Sequence, residues 1–324
     1  MNKLTFFSIF FYTLSYPFQP AACTYPCEDY HKVIKGFNST FMKSEFKNIS
    51  LKVANDGYSL LMWSAKCGNI NAVRFLINEG ANVNEVFNYE FTVLINAAQY
   101  GNEEIVSLLL AAGADANGSK LIKRTALIGA VGGADWNGPG NKNIVKLLLA
   151  GGADINGVDE YGHTALGVAT VQGDVEMVNI LLAAGAEVDK VGVASQHLKD
   201  KHSYLYDTTP LISAARHRRK DVLEALLAAG ADVNGVDEYG NTALGEAALN
   251  RRKDLVDILI AAGADVDRPN YKGITPLMQA CIAPGFNETD EVNAVAVINT
   301  LLDLGADVNK SDEQYYDTVL VHAL

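Results

Sequence analysis

The tightest constraint on this chain is a phrase that returns seven times. It consists of a pair of apolar residues, a short spacer, and Gly-Ala-Asp-x-Asn or a near variant, with the glycine at Gly80, Gly113, Gly152, Gly185, Gly230, Gly263 and Gly305. The intervals between successive glycines, counted along the sequence, are 33, 39, 33, 45, 33 and 42. A base period of 33 therefore carries three insertions. Each copy is too short to cover its own apolar face, so the copies must stack, each burying the face of the next.

The second copy, from Thr92 to Asn117, shows what the period encodes. Thr92 stands where a hydroxyl caps the free amides of a first helix, and in the fifth and seventh copies Pro210 and Pro276 follow at the first helical position. Ala97 and Ala98 are short enough to let neighbouring first helices approach closely. Ile105, Val106, Leu109 and Leu110 give the second helix its apolar bulk. Gly101 and Gly113 end the two helices, because a residue without Cβ takes the left-handed conformation at least cost. Asn117 is then expected to turn the chain towards the next cap, as are Asp189 and Asp267 in their copies.

These segments resemble the Thr-Pro-Leu-His-x-Ala signature of the ankyrin repeat family. The matches are SLLMWS at Ser59, TVLINA at Thr92, TALIGA at Thr125, TALGVA at Thr164, TPLISA at Thr209, TALGEA at Thr242, TPLMQA at Thr275 and TVLVHA at Thr318. One departure is that the family's histidine is replaced by Met, Ile, Gly or Val, which removes a side-chain to backbone bond and weakens each inner loop. The resemblance implies an all-α fold: an ankyrin-repeat solenoid of seven full helix-turn-helix repeats, an incomplete C-terminal one, and an N-terminal helical cap. The expected copies are residues 56–88, 89–121, 122–160, 161–193, 194–238, 239–271 and 272–313, with 314–324 partial. It also implies a concave surface that receives another protein.

The segment 1–22 combines Lys3, an apolar run from Leu4 to Leu14, a breaking Pro17 and the small pair Ala21 and Ala22, the pattern of a secretory signal peptide. That run is shorter than the roughly 20 residues a membrane span needs. The expectation is a secreted or periplasmic protein. Cys23 directly follows the small pair and resembles the acylated cysteine of bacterial lipoproteins, although Pro20 stands where that motif wants a branched aliphatic residue. The alternative is a local disulfide between Cys23 and Cys27. Residues 23–55 read as linker and cap. Cys67 and Cys281 belong to helices of the first and seventh copies and read as small buried hydrophobes.

The repeated residues are explained by folding, so function is sought where the stack departs from its own rule. The fifth copy carries Arg216, His217, Arg218, Arg219 and Lys220 between its helices, and the sixth carries Arg251, Arg252 and Lys253 at the matching place. The net charge of the whole chain is -12, which argues against nucleic acid as a partner and makes this local excess of cations unusual. Arg218 and Arg251 occupy the slot that Gly68, Gly101 and Gly173 hold elsewhere, where a Cβ is penalised by about 1–2 kcal/mol. The patch reads either as a site for an acidic partner or as a solvated loop balanced by Asp221, Glu224, Asp254 and Asp257. Further contact candidates are Phe87, Tyr89 and Phe91 on one connection, Trp136 and Phe286 in insertions between paired helices, and Tyr204 and Tyr206 in the insertion ahead of Thr209.

His197, Asp200 and His202 match no zinc spacing, and no further ligand lies near them in sequence, so no metal is expected. No nucleophile elbow, phosphate loop, His-Glu-x-x-His or Cys-x-x-Cys is present in the sequence. The reading is a monomeric, non-catalytic interaction scaffold without a cofactor, bound to membrane only through a lipid on Cys23. A host-directed effector and an envelope lipoprotein with a structural role are the alternatives.

Overall fold

The computed structural model describes residues 59–87, 91–118, 125–132, 140–159, 161–191, 208–282 and 288–311. The proposed signal and cap segments, the half-repeat from 314 and the residues around Trp136, Tyr204 and Phe286 lie outside that set. Among the described residues, fourteen helices form seven pairs. They are α1 (Leu60–Lys66) with α2 (Ile70–Asn78), α3 (Val93–Gln99) with α4 (Glu103–Ala111), α5 (Ala126–Gly132) with α6 (Lys142–Ala150), and α7 (Ala165–Gln172) with α8 (Val175–Ala183). Then come α9 (Pro210–Arg216) with α10 (Lys220–Ala228), α11 (Ala243–Leu249) with α12 (Lys253–Ala261), and α13 (Pro276–Ile282) with α14 (Glu288–Asp303). A short antiparallel pairing, β1 (Val86–Phe87) with β2 (Phe91–Thr92), forms one finger between pairs.

Local chemistry sets the ends of these helices. The amides of Met62, Ile95, Gly167, Ile212, Gly245 and Met278 donate to the hydroxyls of Ser59, Thr92, Thr164, Thr209, Thr242 and Thr275, so the expected caps are in place. The second helices of the first four pairs begin differently, with a carboxamide or carboxylate: Asn69, Asn102, Asn141 and Asp174 each accept an amide from the third helical residue. Gly101 at φ 78° and Gly113 at φ 86° close their helices in the left-handed region.

The chain divides into two compact units, residues 1–126 and 127–324. In the first, α1 packs on α3 and α2 on α4. In the second, the inner row runs α7, α9, α11, α13, and the outer row runs α8, α10, α12, α14. The alanine pairs Ala97/Ala98, Ala214/Ala215 and Ala247/Ala248 are buried, which is what lets inner helices approach closely. The outer helices supply Ile105, Val106 and Leu109 in one unit, and Leu148, Leu181, Leu226 and Leu259 with their neighbours in the other, all buried. Leu110, expected in the core, is half-buried.

Two expectations are revised. Asp189 and Asp267, expected to fold their own turns, bond into the next copy instead. The turn is folded by the earlier aspartate of the repeated phrase: Asp115, Asp154, Asp232, Asp265 and Asp307 each accept the amide two residues on. The asparagine or its aspartate substitute reaches instead into the next copy. Asn84 accepts from the Asp115 amide and donates to the Gly113 carbonyl, Asn156 accepts from Glu187, Asp189 from Asp232, Asn234 from Asp265, and Asp267 from Asp307. In the seventh copy, part of the insertion expected as a loop is helical, because Glu288–Asn293 forms the start of α14.

Cutting Leu226 to alanine removes a wholly buried side chain between α10 and its neighbours. The expected cost is about 2–5 kcal/mol, read as a lowered urea midpoint, with the partner change Leu109→Ala behaving alike in the other unit.

Candidate partner-binding surface

Among the described residues, two that are not glycine have positive φ: Arg218 at 60° and Arg251 at 54°. Both hold the slot that Gly68, Gly101 and Gly173 occupy at φ 66°, 78° and 79°. The next residue departs as well. Arg219 and Arg252 are the N-caps of α10 and α12 and make no side-chain cap bond, where Asn or Asp caps the earlier outer helices. At two neighbouring helix-turn-helix corners the chain thus gives up both the glycine and the cap, and sets cations against the positive end of a helix.

The basic cluster divides by what each side chain touches. Arg216, expected as a contact residue, is turned inward: its Nη2 donates to Glu246 Oε1 at 2.8 Å and to Asp237 Oδ2 at 3.2 Å. These carboxylates are 8% and 1% exposed, so the pair is a buried tie between α9, α11 and the finger leading to α11. Burial alone would favour the neutral guanidine, but the hydrogen bond and charge of Glu246, then Asp237, outweigh it and hold Arg216 more firmly protonated. His217 is pushed below the usual imidazole value by burial, then by the charges of Arg216 and Arg219, with Glu246 pulling the other way.

Arg219 crosses back to the fourth copy, where Nε and Nη2 donate to the Val171 carbonyl at 3.0 and 2.9 Å. Its side chain lies over Gly173, where an added Cβ would come within 2.8 Å of the arginine Cδ. Arg252 forms a bidentate pair with Asp254, whose carboxyl it holds below the ordinary value. Lys253 binds Asp257 at 2.7 Å, and Lys220 stands 4.0 Å from Glu224. Arg218 is exposed and, among the described residues, reaches the neutral Asn250 Oδ1, at 3.3 Å, in the next copy. Arg251 is half-buried and close enough to Cys281 to act on its thiol, which burial pushes up and Arg251 pulls down.

Sequence reading brought the two basic loops together correctly, as the Arg218 to Asn250 contact shows. It missed Asp237 and Glu246, which lie 21 and 30 residues beyond Arg216. The available signal was Glu246 itself, a carboxylate at an inner-helix position that Val168 and Ser213 fill in earlier copies. Also missed were Tyr239 and Tyr271, exposed by 47% and 68% on adjoining fingers joined by a bond from the Tyr271 amide to the Tyr239 carbonyl. Phe91 is half-buried and pairs with Phe87 across the short hairpin. Tyr89, Trp136, Tyr204, Tyr206, Cys23 and Cys27 lie outside the described residues, as do His197, Asp200 and His202. Cys67 and Cys281 are not in a disulfide among the described residues and are only half-buried. Among the described residues no group of three or more His, Cys, Asp or Glu is placed to hold a metal ion, and no helix is long and apolar enough to cross a membrane.

A family model described as ankyrin repeats (3 copies) matches residues 32–120, 118–192, 193–270 and 237–312. Among solved structures, the ankyrin repeat domain of human ASB11 is similar, with 26% identity and a TM-score of 0.58 over 74% of this chain and 98% of that one. No curated protein matches the chain.

Replacing Arg218 and Arg251 by glycine relieves left-handed strain and is expected to raise stability by about 1 kcal/mol per site in chemical denaturation. Arg216→Ala strands Asp237 and Glu246 as buried carboxylates and is expected to cost about 3–5 kcal/mol. His217 binds a proton less readily when folded than when unfolded, so stability is retained above pH 6.5 and falls as pH drops below it. His217→Gln is expected to flatten that segment of the stability–pH curve.

Proposed function

Because the chain belongs to the ankyrin repeat family, whose members generally serve as scaffolds for protein–protein interaction, we propose that it is an exported scaffold that binds another protein and performs no catalysis of its own. The contact surface comprises the fingers, the insertions between paired helices and the basic ridge. One observation carries the ridge: Arg218–Arg219 and Arg251–Arg252 replace the glycine and the cap that earlier copies keep. Left-handed strain of about 1–2 kcal/mol and a lost cap of about 1 kcal/mol at each corner are unfavourable for folding alone. Guanidinium groups at such a corner suit bidentate recognition of carboxylate on an acidic partner surface. Tyr239 and Tyr271 offer rigid aromatic area on the fingers of the same unit.

Export rests on the signal-like segment 1–22, and lipid attachment on Cys23 following Ala21 and Ala22. A lipid there would favour an envelope role. Mass spectrometry of the mature protein reads both: a chain beginning at Cys23 with an added acyl mass supports the anchored form, and an intact Met1 end contradicts export. For binding, the full chain and an Arg218→Gly/Arg251→Gly variant are compared in pull-downs at low and raised salt. Retention of the same partner by both, independent of salt, removes the ridge from the interface.

A further inference from the structure

In the first unit, the ammonium of Lys66 rests over two aromatic rings at once, 5.0 Å from the centre of Trp63 and 5.4 Å from that of Tyr100. Both distances are inside the roughly 6 Å range in which a ring face attracts a cation. Trp63 and Lys66 lie one turn apart on α1 and share a face. Tyr100 caps the end of α3, which packs on α1, and is 47% exposed.

A second feature lies on the same inner row. Asn96 is Trp63's counterpart one repeat further on, and sits one helical turn before Tyr100. It is only 3% exposed, and its Oδ1 accepts no hydrogen bond among the described residues. A buried amide oxygen without a donor is costly unless something fills it. The unit as a whole also attracts cations: among its described residues Glu79, Glu85, Glu103, Glu104 and Asp115 outnumber Lys66 and Arg74.

We propose that Trp63, Asn96 and Tyr100 form a subsite for a cationic side chain, lysine or arginine, in a basic segment of a partner protein, and that Lys66 occupies the subsite in the free chain as a placeholder. On binding, the incoming cation takes the place over the two rings and its N–H groups supply the donor that Asn96 Oδ1 lacks. Lys66 swings out to solvent. The subsite is independent of the basic ridge, which belongs to the other unit and takes the opposite charge.

The test uses the full chain and a fluorescein-labelled tetralysine peptide, followed by anisotropy. Lys66→Ala is expected to tighten binding about threefold to tenfold, and Trp63→Leu and Tyr100→Leu, which leave the charge unchanged, to weaken it by a similar factor. Asn96→Leu is expected to weaken it as well. Arg74→Ala removes one positive charge from the same unit and controls for general attraction, so it should tighten binding less than Lys66→Ala does. Equal affinity for parent, Trp63→Leu and Tyr100→Leu would show attraction by net charge alone and overturn the subsite. No gain for Lys66→Ala beyond that of Arg74→Ala would overturn the placeholder. Circular dichroism melts confirm that each variant is folded. Arg218→Gly/Arg251→Gly is expected to leave tetralysine affinity unchanged, which separates this subsite from the ridge.

Discussion

Everything in this protein depends on the apolar contact between one helical pair and the next. A pair such as α9 and α10 has Ala214 and Ala215 on its inner helix and Val222, Leu223 and Leu226 on its outer one, all buried in the stack, and a single pair is too small to cover them by itself. Burying a leucine is worth about 1.5–3 kcal/mol, so each copy gains its stability at the face it shares with a neighbour. The threonine caps, the left-handed glycines and the asparagine bridges keep that face in register. Asn84 to Asp115 and Asn234 to Asp265 repeat one bond at one spacing, and so tie the fingers at the same interval as the helices.

Against this regular background the basic ridge is a local exception with two kinds of arginine in it. Arg216 is held by Glu246 and Asp237 and contributes to the stack, and Arg219 grips the Val171 carbonyl across the longest insertion. Arg218, by contrast, is held out in strained backbone and meets a neutral acceptor. One run of charge therefore contains both cement and a free surface. The Trp63, Asn96 and Tyr100 group is a second exception of opposite preference, in which the protein's own lysine stands on aromatic rings.

How much could be read in advance follows from the range of each interaction. The seven pairs, their caps and the strain at Arg218 and Arg251 were legible because each is decided within a few residues and the repeat shows the same decision several times. The regular offset of the repeat also placed the two basic loops side by side. The start of α14 was less legible: Glu288–Asn293 lies in an inserted stretch with no counterpart in other copies to read it against. The bridging Asp189 and Asp267 were misassigned for a related reason. Their own turn is near in sequence and suggested itself first, while the amides they accept from lie in the next copy.

The sequence by itself determined the repeat, the caps and left-handed glycines that bound its helices outside the insertions, and the family, because period, cap and glycine are local properties carried by residue type. Only the tertiary structure decided which charges are spent inside the stack and which stand on it. Arg216 and Arg218 are near neighbours on one loop, and their different fates rest on Asp237, Glu246 and Asn250, which folding brings within hydrogen-bond reach from the next copy. A side chain's partner across a packed interface depends on direction and distance in space, and neither is written in the spacing along the chain.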